Sequence, residues 1–115
     1  MGMVKRGEIV LANFDPVIGS EQGRTRPAVI IQSNFMNKTS PVTIVATLTS
    51  RIPSKDYPTV VFLSKKDSGL SKDSIIQSNQ IKTIDKSRII KKYGILDPYT
   101  MQKVDDAIKI SLGLS

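Results

Sequence analysis

Residues 5–32 read KRGEIVLANFDPVIGSEQGRTRPAVIIQ and contain the pattern that decides the fold. Two short apolar runs, EIVLANF at 8–14 and AVIIQS at 28–33, are separated by a connection rich in glycine, proline and charge. Runs of this length with β-branched residues, bounded by turn residues, are typical of strands. The stretch therefore predicts two strands joined by a loop far longer than a tight hairpin, and long loops in compact domains are often functional.

The rest of the chain continues this pattern and then changes its period. Further β-type runs lie at 42–49, 59–63, 74–77, 80–84 and 89–96, with one helical turn expected in the polar stretch 64–73. Asp97-Pro98 is a good helix start, and apolar residues follow at helical spacing, namely Met101, Val104, Ile108 and Leu112. We predict a mainly β, SH3-like small barrel with a C-terminal packing helix, forming one domain over 1–115.

The strand at 42–49 is predicted to have two unlike faces, because side chains alternate along a strand. One face carries apolar residues and is expected in the core: Val42, Ile44, Ala46 and Leu48. The other is expected to be a threonine-rich surface: Thr43, Val45, Thr47 and Thr49.

Charge and composition narrow the chemistry. The 17 Lys and Arg residues against 10 Asp and Glu give a net charge of +7, which favours polyanions such as nucleic acid, although many basic proteins bind nothing specific. Cysteine and histidine are both absent, so disulfides, thiolate nucleophiles and the commonest metal ligands are excluded. We expect no metal and no cofactor. The sequence shows neither a membrane span nor a signal peptide, so a cytoplasmic protein is expected.

Several motifs in register resemble the MazF/PemK family of toxin endoribonucleases. RGEI opens the first strand, DP is followed by GSEQG, and RP heads the second strand. SPVTIVATLTS at 40–50, QIKTIDKSRI at 80–89 and KVDDAI at 103–108 agree as well, so that the similarity covers nearly the whole chain in order. The resemblance implies the MazF/CcdB/Kid-type toxin fold, a homodimer and metal-independent cleavage of single-stranded RNA. It also implies an acidic MazE-like antitoxin partner, with DNA reached only indirectly through that antitoxin.

The resemblance assigns site residues by position. It implies catalytic roles for Arg26 and Thr49, and places Ser20, Glu21 and Gln22 near the substrate. The residues themselves support this, because a planar guanidinium suits a phosphate transition state and Pro27 restricts Arg26 to extended geometry. Glu21 is the only carboxylate of the glycine-flanked segment and is our candidate for assisting deprotonation.

Further residues are candidates for substrate contact. They are Arg24, Phe14, Thr47 and Gln80. Base stacking on Phe14 or Phe35 is an option, with core packing favoured for Phe14. A basic run either contacts phosphates or is simply solvated: Lys86, Arg88, Lys91 and Lys92. Asn79 stands where many relatives carry an acid, which bears on base preference.

Two other functions remain open at the level of sequence. A gyrase-inhibiting toxin of the same fold would need no Arg26–Thr49 pair, so the GSEQG and RP motifs argue against it. A non-catalytic RNA-binding barrel would share the charge and the fold, and only an activity measurement separates it from a nuclease.

Overall fold

Six antiparallel strands form one sheet in the part of the chain that the computed structural model describes, residues 3–15 and 24–114. The strands are β1 (Glu8–Asn13), β2 (Thr25–Ile30), β3 (Val42–Thr49), β4 (Val60–Leu63), β5 (Ser74–Asp85) and β6 (Ile89–Ile95). Their spatial order is β4-β5-β3-β2-β1-β6, so β4 and β6 are the edge strands. The sheet curls, and this brings β6 into contact with a short helix that follows β4. The mainly β prediction is confirmed.

Among the described residues, three α-helices accompany the sheet: α1 (Asn34–Asn37), α2 (Lys65–Ser68) and α3 (Pro98–Leu112), with a 3₁₀ turn at Lys86–Arg88. The predicted C-terminal helix is confirmed, and it packs against β4 and β5. Asp97 caps it by accepting a hydrogen bond from the Thr100 N–H, and Pro98 fills the first turn. Leu112 does not pack, since it lies in the last turn and is 57% exposed. Ala107 is buried instead.

Both faces of the sheet are covered, which corrects the predicted threonine-rich surface on β3. Ala46 and Leu48 belong to the helix-side core, together with residues of α3. Val45 belongs to a second core on the opposite face, and Thr43 and Thr47 beside it are fully buried. Their hydroxyls are satisfied internally, by Asn37 Oδ1 at 2.8 Å and Gln77 Oε1 at 3.2 Å. The alternation of side chains along β3 correctly separated its two faces, but it did not show that both faces are buried.

The observed bounds of β2 and β5 differ from those predicted from sequence, because pairing with neighbouring strands sets where each strand begins and ends. β2 begins at Thr25 because its first residues pair with β1, Arg26 opposite Ala12. It ends at Ile30, ahead of the predicted end at 33. β5 is one continuous strand where two runs were predicted, because a β-bulge absorbs the extra residues: Ala46 pairs with Ile81 but Thr47 with Gln77.

The short helices follow serine caps. Ser33 accepts from the Met36 N–H and starts α1, which the sequence analysis treated as a polar separator. Ser64 caps α2 in the same way and confirms the predicted helical turn in 64–73. Gly69 then ends α2 at φ 78°, a left-handed conformation that favours glycine.

Candidate active site

Arg26 and Thr49 are brought together by the register between β2 and β3. Ala28 pairs with Thr47 in this antiparallel ladder, and Ile30 with Val45. Continued by two residues on each strand, the same register sets Arg26 opposite Thr49. Directly opposed residues on one face of a sheet have Cβ atoms about 4.5–5.5 Å apart, so the two side chains can contact the same small group. The bonded ladder ends at Ala28 and Thr47, so the Arg26–Thr49 pair is an extension of its register by two residues.

The Thr49 hydroxyl has a defined orientation. Its Oγ1 accepts a hydrogen bond from the backbone N–H of Arg51 at 3.2 Å. Because one lone pair is engaged in this way, the hydroxyl hydrogen is directed elsewhere and can be donated to a ligand. Thr49 is 9% exposed, so the hydroxyl lies at the edge of the core and not on open surface.

A cavity of ≈ 600 Å³ surrounds the ends of β2 and β3 and includes both residues of the pair. This volume falls within the range of ligand sites in proteins. One part of its lining is polar or cationic: Arg24, Arg26, Thr49, Ser50 and Lys72. Another part is apolar or aromatic: Pro27, Leu48, Leu70 and Tyr93. The cavity thus offers groups for an anion and for a flat apolar body side by side.

The lining comes from four segments that are distant in sequence, and the curl of the sheet brings them together. They are 24–27, 48–50, 69–74 and Tyr93. The loop after α2 approaches β6 so closely that a Cβ added at Gly69 would lie 3.6 Å from the Tyr93 carbonyl oxygen. This approach brings Leu70 and Tyr93 to the ends of β2 and β3.

The mouth of the 15–26 loop is held by backbone contacts on both sides. Arg24 has a φ of 63°, unusual for a residue with a side chain. Its N–H donates to Asp15 Oδ1 at 2.7 Å, and its carbonyl accepts from the Phe14 N–H at 2.8 Å. Arg88 donates to the carbonyls of Asn13, at 3.1 Å, and Asp15. These hydrogen bonds fix the two ends of the loop, which we call the loop stem, next to Arg26.

The predicted loop residues Ser20, Glu21 and Gln22 lie outside the described residues. Of the other predicted substrate contacts, Arg24 lines the cavity with Arg26 and Thr49.

Three predicted contacts are placed elsewhere. Phe14 is 6% exposed and packs in the second core, so its ring offers no stacking surface and the core alternative describes it. Thr47 is fully buried and donates to Gln77, which leaves it beneath the site and not in it. Gln80 lies in the β5 bulge and is absent from the lining of the cavity formed by the described residues. For Phe14 and Thr47, a place in or beside a family motif therefore did not ensure an accessible side chain.

The basic run 86–92 has mainly structural partners. Lys86 donates to the carbonyl of Asn37 and thereby caps α1, and Arg88 holds the loop stem. Lys92 donates to the Met3 carbonyl at 2.6 Å and lies 3.4 Å from Glu8. Lys91 stacks over the Tyr93 ring, 5.0 Å from its centroid. The described contacts are internal, and phosphate binding by this run stays a prediction.

The sequence analysis did not single out several cavity residues, among them Leu70, Lys72 and Tyr93. Leu70 and Tyr93 are partly buried against the helix-side core, so both are held in place. The one available signal was an aromatic residue within an otherwise aliphatic and basic strand, IIKKYGI.

The resolved pKa shifts lie outside the cavity, and the described residues form no metal-ligand cluster there. Asp85 and Asp97 have pKa values below the ordinary 3.8, mainly because each accepts a backbone N–H, from Ser87 and Thr100 respectively. Both are helix-capping groups away from the cavity. Over the described ranges, no three Asp or Glu residues come together as a metal site. No helix in that same part of the chain is long and apolar enough to span a membrane.

Solved structures of known proteins share this fold. MazF (Form-I) from Deinococcus radiodurans superposes with a TM-score of 0.83 at 24% identity, covering 98% of this chain and 99% of that one. MazE-MazF (Form-II) from the same organism gives 0.78 at 25% identity, with 100% of both chains covered. An endoribonuclease in complex with its cognate antitoxin, from a Mycobacterial species, gives 0.79 at 22% identity, with 97% of both chains covered.

The sequence itself identifies the family. Residues 5–112 match the family described as PemK-like, MazF-like toxin of type II toxin-antitoxin system. The match includes both strands of the Arg26–Thr49 pair and the helix that covers the core. The chain therefore belongs to the family of PemK-like, MazF-like toxins of type II toxin-antitoxin systems.

Proposed function

We propose that this toxin is an endoribonuclease that cuts single-stranded RNA without a metal, by attack of the RNA's own 2′-hydroxyl. The observation that carries the proposal is the Arg26–Thr49 cross-strand pair in a partly cationic cavity. Solved structures of similar fold that are named as endoribonucleases support the same reaction class.

The reaction needs few protein groups. The 2′-oxygen forms a bond to the adjacent phosphorus while the bond from phosphorus to the 5′-oxygen breaks. The 2′-hydroxyl loses its proton, and the departing 5′-oxygen gains one from solvent. The products carry a 2′,3′-cyclic phosphate and a 5′-hydroxyl. Because the nucleophile belongs to the substrate, neither a cysteine, a histidine nor a metal-bound water is required.

Arg26 supplies charge stabilisation in this account. A guanidinium donates two parallel hydrogen bonds to phosphate oxygens and keeps its proton, since its pKa lies above about 12. It therefore acts as an electrostatic group and not as a proton donor. Charge that develops on the phosphoryl oxygens in the transition state is the target of such preorganised donors.

Thr49 supplies a second donor from the neighbouring strand. Its lone pair is engaged by the Arg51 N–H, so its hydrogen is available for the same phosphate. Two donors fixed on adjacent strands need no reorganisation when the substrate reacts. We assign the assistance of 2′-hydroxyl deprotonation to Glu21, with Ser20 and Gln22 as neighbouring substrate contacts.

We extend the proposal to partners. The net charge of +7 suits both RNA and an acidic MazE-like antitoxin that covers Arg26 and Thr49, and DNA would be reached through that antitoxin. A homodimer is supported by the edge strand β6, where Ile90 and Ile95 are 55% and 58% exposed. An mRNA substrate would place the protein in the cytoplasm.

The test is cleavage by purified protein in EDTA, with one RNA sequence offered both as a single strand and annealed to its complement. We expect cleavage of the single strand alone, and an identically purified Arg26→Lys preparation should cleave at least about a hundredfold more slowly. RNA binding with no cleavage by the unaltered protein would contradict the proposal and favour a non-catalytic RNA-binding barrel.

A further inference from the structure

The apolar part of the cavity has no role in the phosphate chemistry assigned to Arg26 and Thr49. Arg26 and Thr49 line the same cavity. A nucleotide places a flat, largely apolar base next to an anionic phosphate, and this is the combination of surfaces that the cavity presents. Resting on the proposed function, we propose that Tyr93 forms a nucleobase subsite beside the cleaved phosphate, with its ring as the stacking face.

Tyr93 is held rigidly enough to serve as a stacking platform. It sits on β6 and packs in part against the helix-side core, so a base that contacts it does not have to order a mobile side chain. Its backbone is approached by the Gly69 turn, which further fixes the strand at this position. A rigid aromatic surface gives contact area at low entropic cost, which favours binding.

The other aromatic residues of the described chain are not placed for this role. Phe14 is buried in the second core. The exposed rings belong to other surfaces and are absent from the described lining of the cavity: Phe35, Tyr57, Phe62 and Tyr99. Tyr93 is therefore the aromatic residue that the described chain contributes to this cavity.

Two lysines place positive charge next to the ring. Lys91 Nζ lies 5.0 Å from the Tyr93 ring centroid, and Lys72 lies in the same lining as Tyr93. Lys91 Nζ occupies one face of the ring, so a base that stacks there displaces this ammonium toward the base's own phosphate. Stacking on aromatic side chains combined with backbone cations is how proteins hold single-stranded nucleic acid.

The test measures which base the ring contacts. The probe is a single-stranded oligonucleotide spanning a cleavage site mapped with the unaltered protein, made uncleavable by a 2′-O-methyl group at the attacking position. Each position is replaced in turn by an abasic residue, and affinities are measured for the unaltered protein and for Tyr93→Leu, Tyr93→Phe and Tyr99→Leu. Tyr99→Leu is the matched control, because that tyrosine is 71% exposed on α3.

We expect the unaltered protein to lose about ten- to a hundredfold in affinity at one abasic position next to the cleaved phosphate. Tyr93→Leu should bind the intact oligonucleotide more weakly by a similar factor and show no further loss at that position. Tyr93→Phe and Tyr99→Leu should behave like the unaltered protein. Unchanged affinity of Tyr93→Leu, or an abasic penalty that persists in Tyr93→Leu, would overturn the subsite.

A second measurement needs no variant, so it tests the subsite even if the Tyr93→Leu protein fails to fold. Tyr93 ring protons, followed by NMR in the unaltered protein, should shift upfield on binding the oligonucleotide, and the abasic version should abolish the shift. No shift with bound RNA would overturn the subsite while leaving the proposed nuclease intact. An unaltered protein that neither binds nor cuts RNA would instead overturn the proposed function, and the subsite with it.

Discussion

Arg26 and Thr49 lie two residues beyond the last bonded pair of β2 and β3, Ala28–Thr47, at positions that the same register sets opposite each other, and both line one cavity. Both residues belong to strands, so the sheet fixes the backbone from which each side chain extends. Mutations at the two positions should act on the reaction while leaving the fold intact.

Arg26→Lys should fold normally and cleave RNA at least about a hundredfold more slowly, as expected for the loss of one preorganised donor group. Lysine keeps the charge but loses the planar fork that binds two phosphate oxygens. The control is Arg24→Lys, an exposed arginine of the same cavity, which should change the rate far less. Equal losses at the two positions, measured as kcat/KM, would show that the cavity acts as a diffuse basic clamp.

Thr49→Val should lower the cleavage rate by about a hundredfold, because it removes the hydroxyl donor while keeping the shape. Thr49→Ser keeps the hydroxyl and the hydrogen bond from Arg51, so its rate should stay within about tenfold of the original. Single-turnover kinetics on a short RNA gives both values. If valine and serine slow the reaction equally, the methyl group and not the hydroxyl matters at this position.

Arg88→Met should slow cleavage although Arg88 lies outside the cavity lining. The substitution removes the bonds to the Asn13 and Asp15 carbonyls that hold the loop stem. Small misplacements of a catalytic group can cost up to about a hundredfold in rate. Lys38→Met removes the same charge from an exposed position after α1 and should leave the rate unchanged. A rate loss shared by both variants would trace to net charge and not to the loop stem.

Asp97→Asn should make the thermal stability of the protein depend less on pH in the acid range. The pKa of Asp97 is lowered by the Thr100 N–H, so its charged form stabilises the fold. This contribution is complete above the ordinary value of 3.8 and is lost as the pH falls below it, through the lowered folded pKa. Asparagine caps helices nearly as well but does not titrate. Thermal unfolding at pH 6 should be nearly unchanged, while the drop between pH 5 and pH 3 shrinks. A drop of unchanged size would remove Asp97 from the acid response.

The sequence was sufficient for the strands and the C-terminal helix, because these follow from local pattern, and the family motifs pointed to Arg26 and Thr49, which line one cavity. It was not sufficient for Tyr93, because β6 reaches the cavity only through the curl of the sheet, which no local pattern encodes. Thr47 was wrongly expected at the surface for a related reason. Alternation shows which residues share a face, while burial depends on what distant segments lay over that face.

The central claim is that the RNA's 2′-hydroxyl is the nucleophile, held by Arg26 and Thr49. The most direct measurement uses one RNA with a single 2′-deoxy substitution at the mapped cleavage position, incubated with the protein in EDTA. We predict that the unmodified RNA yields a 2′,3′-cyclic phosphate and a 5′-hydroxyl, while the 2′-deoxy RNA stays intact but binds with unchanged affinity. Cleavage of the 2′-deoxy RNA at the same position, or ends carrying a 5′-phosphate, would contradict the account.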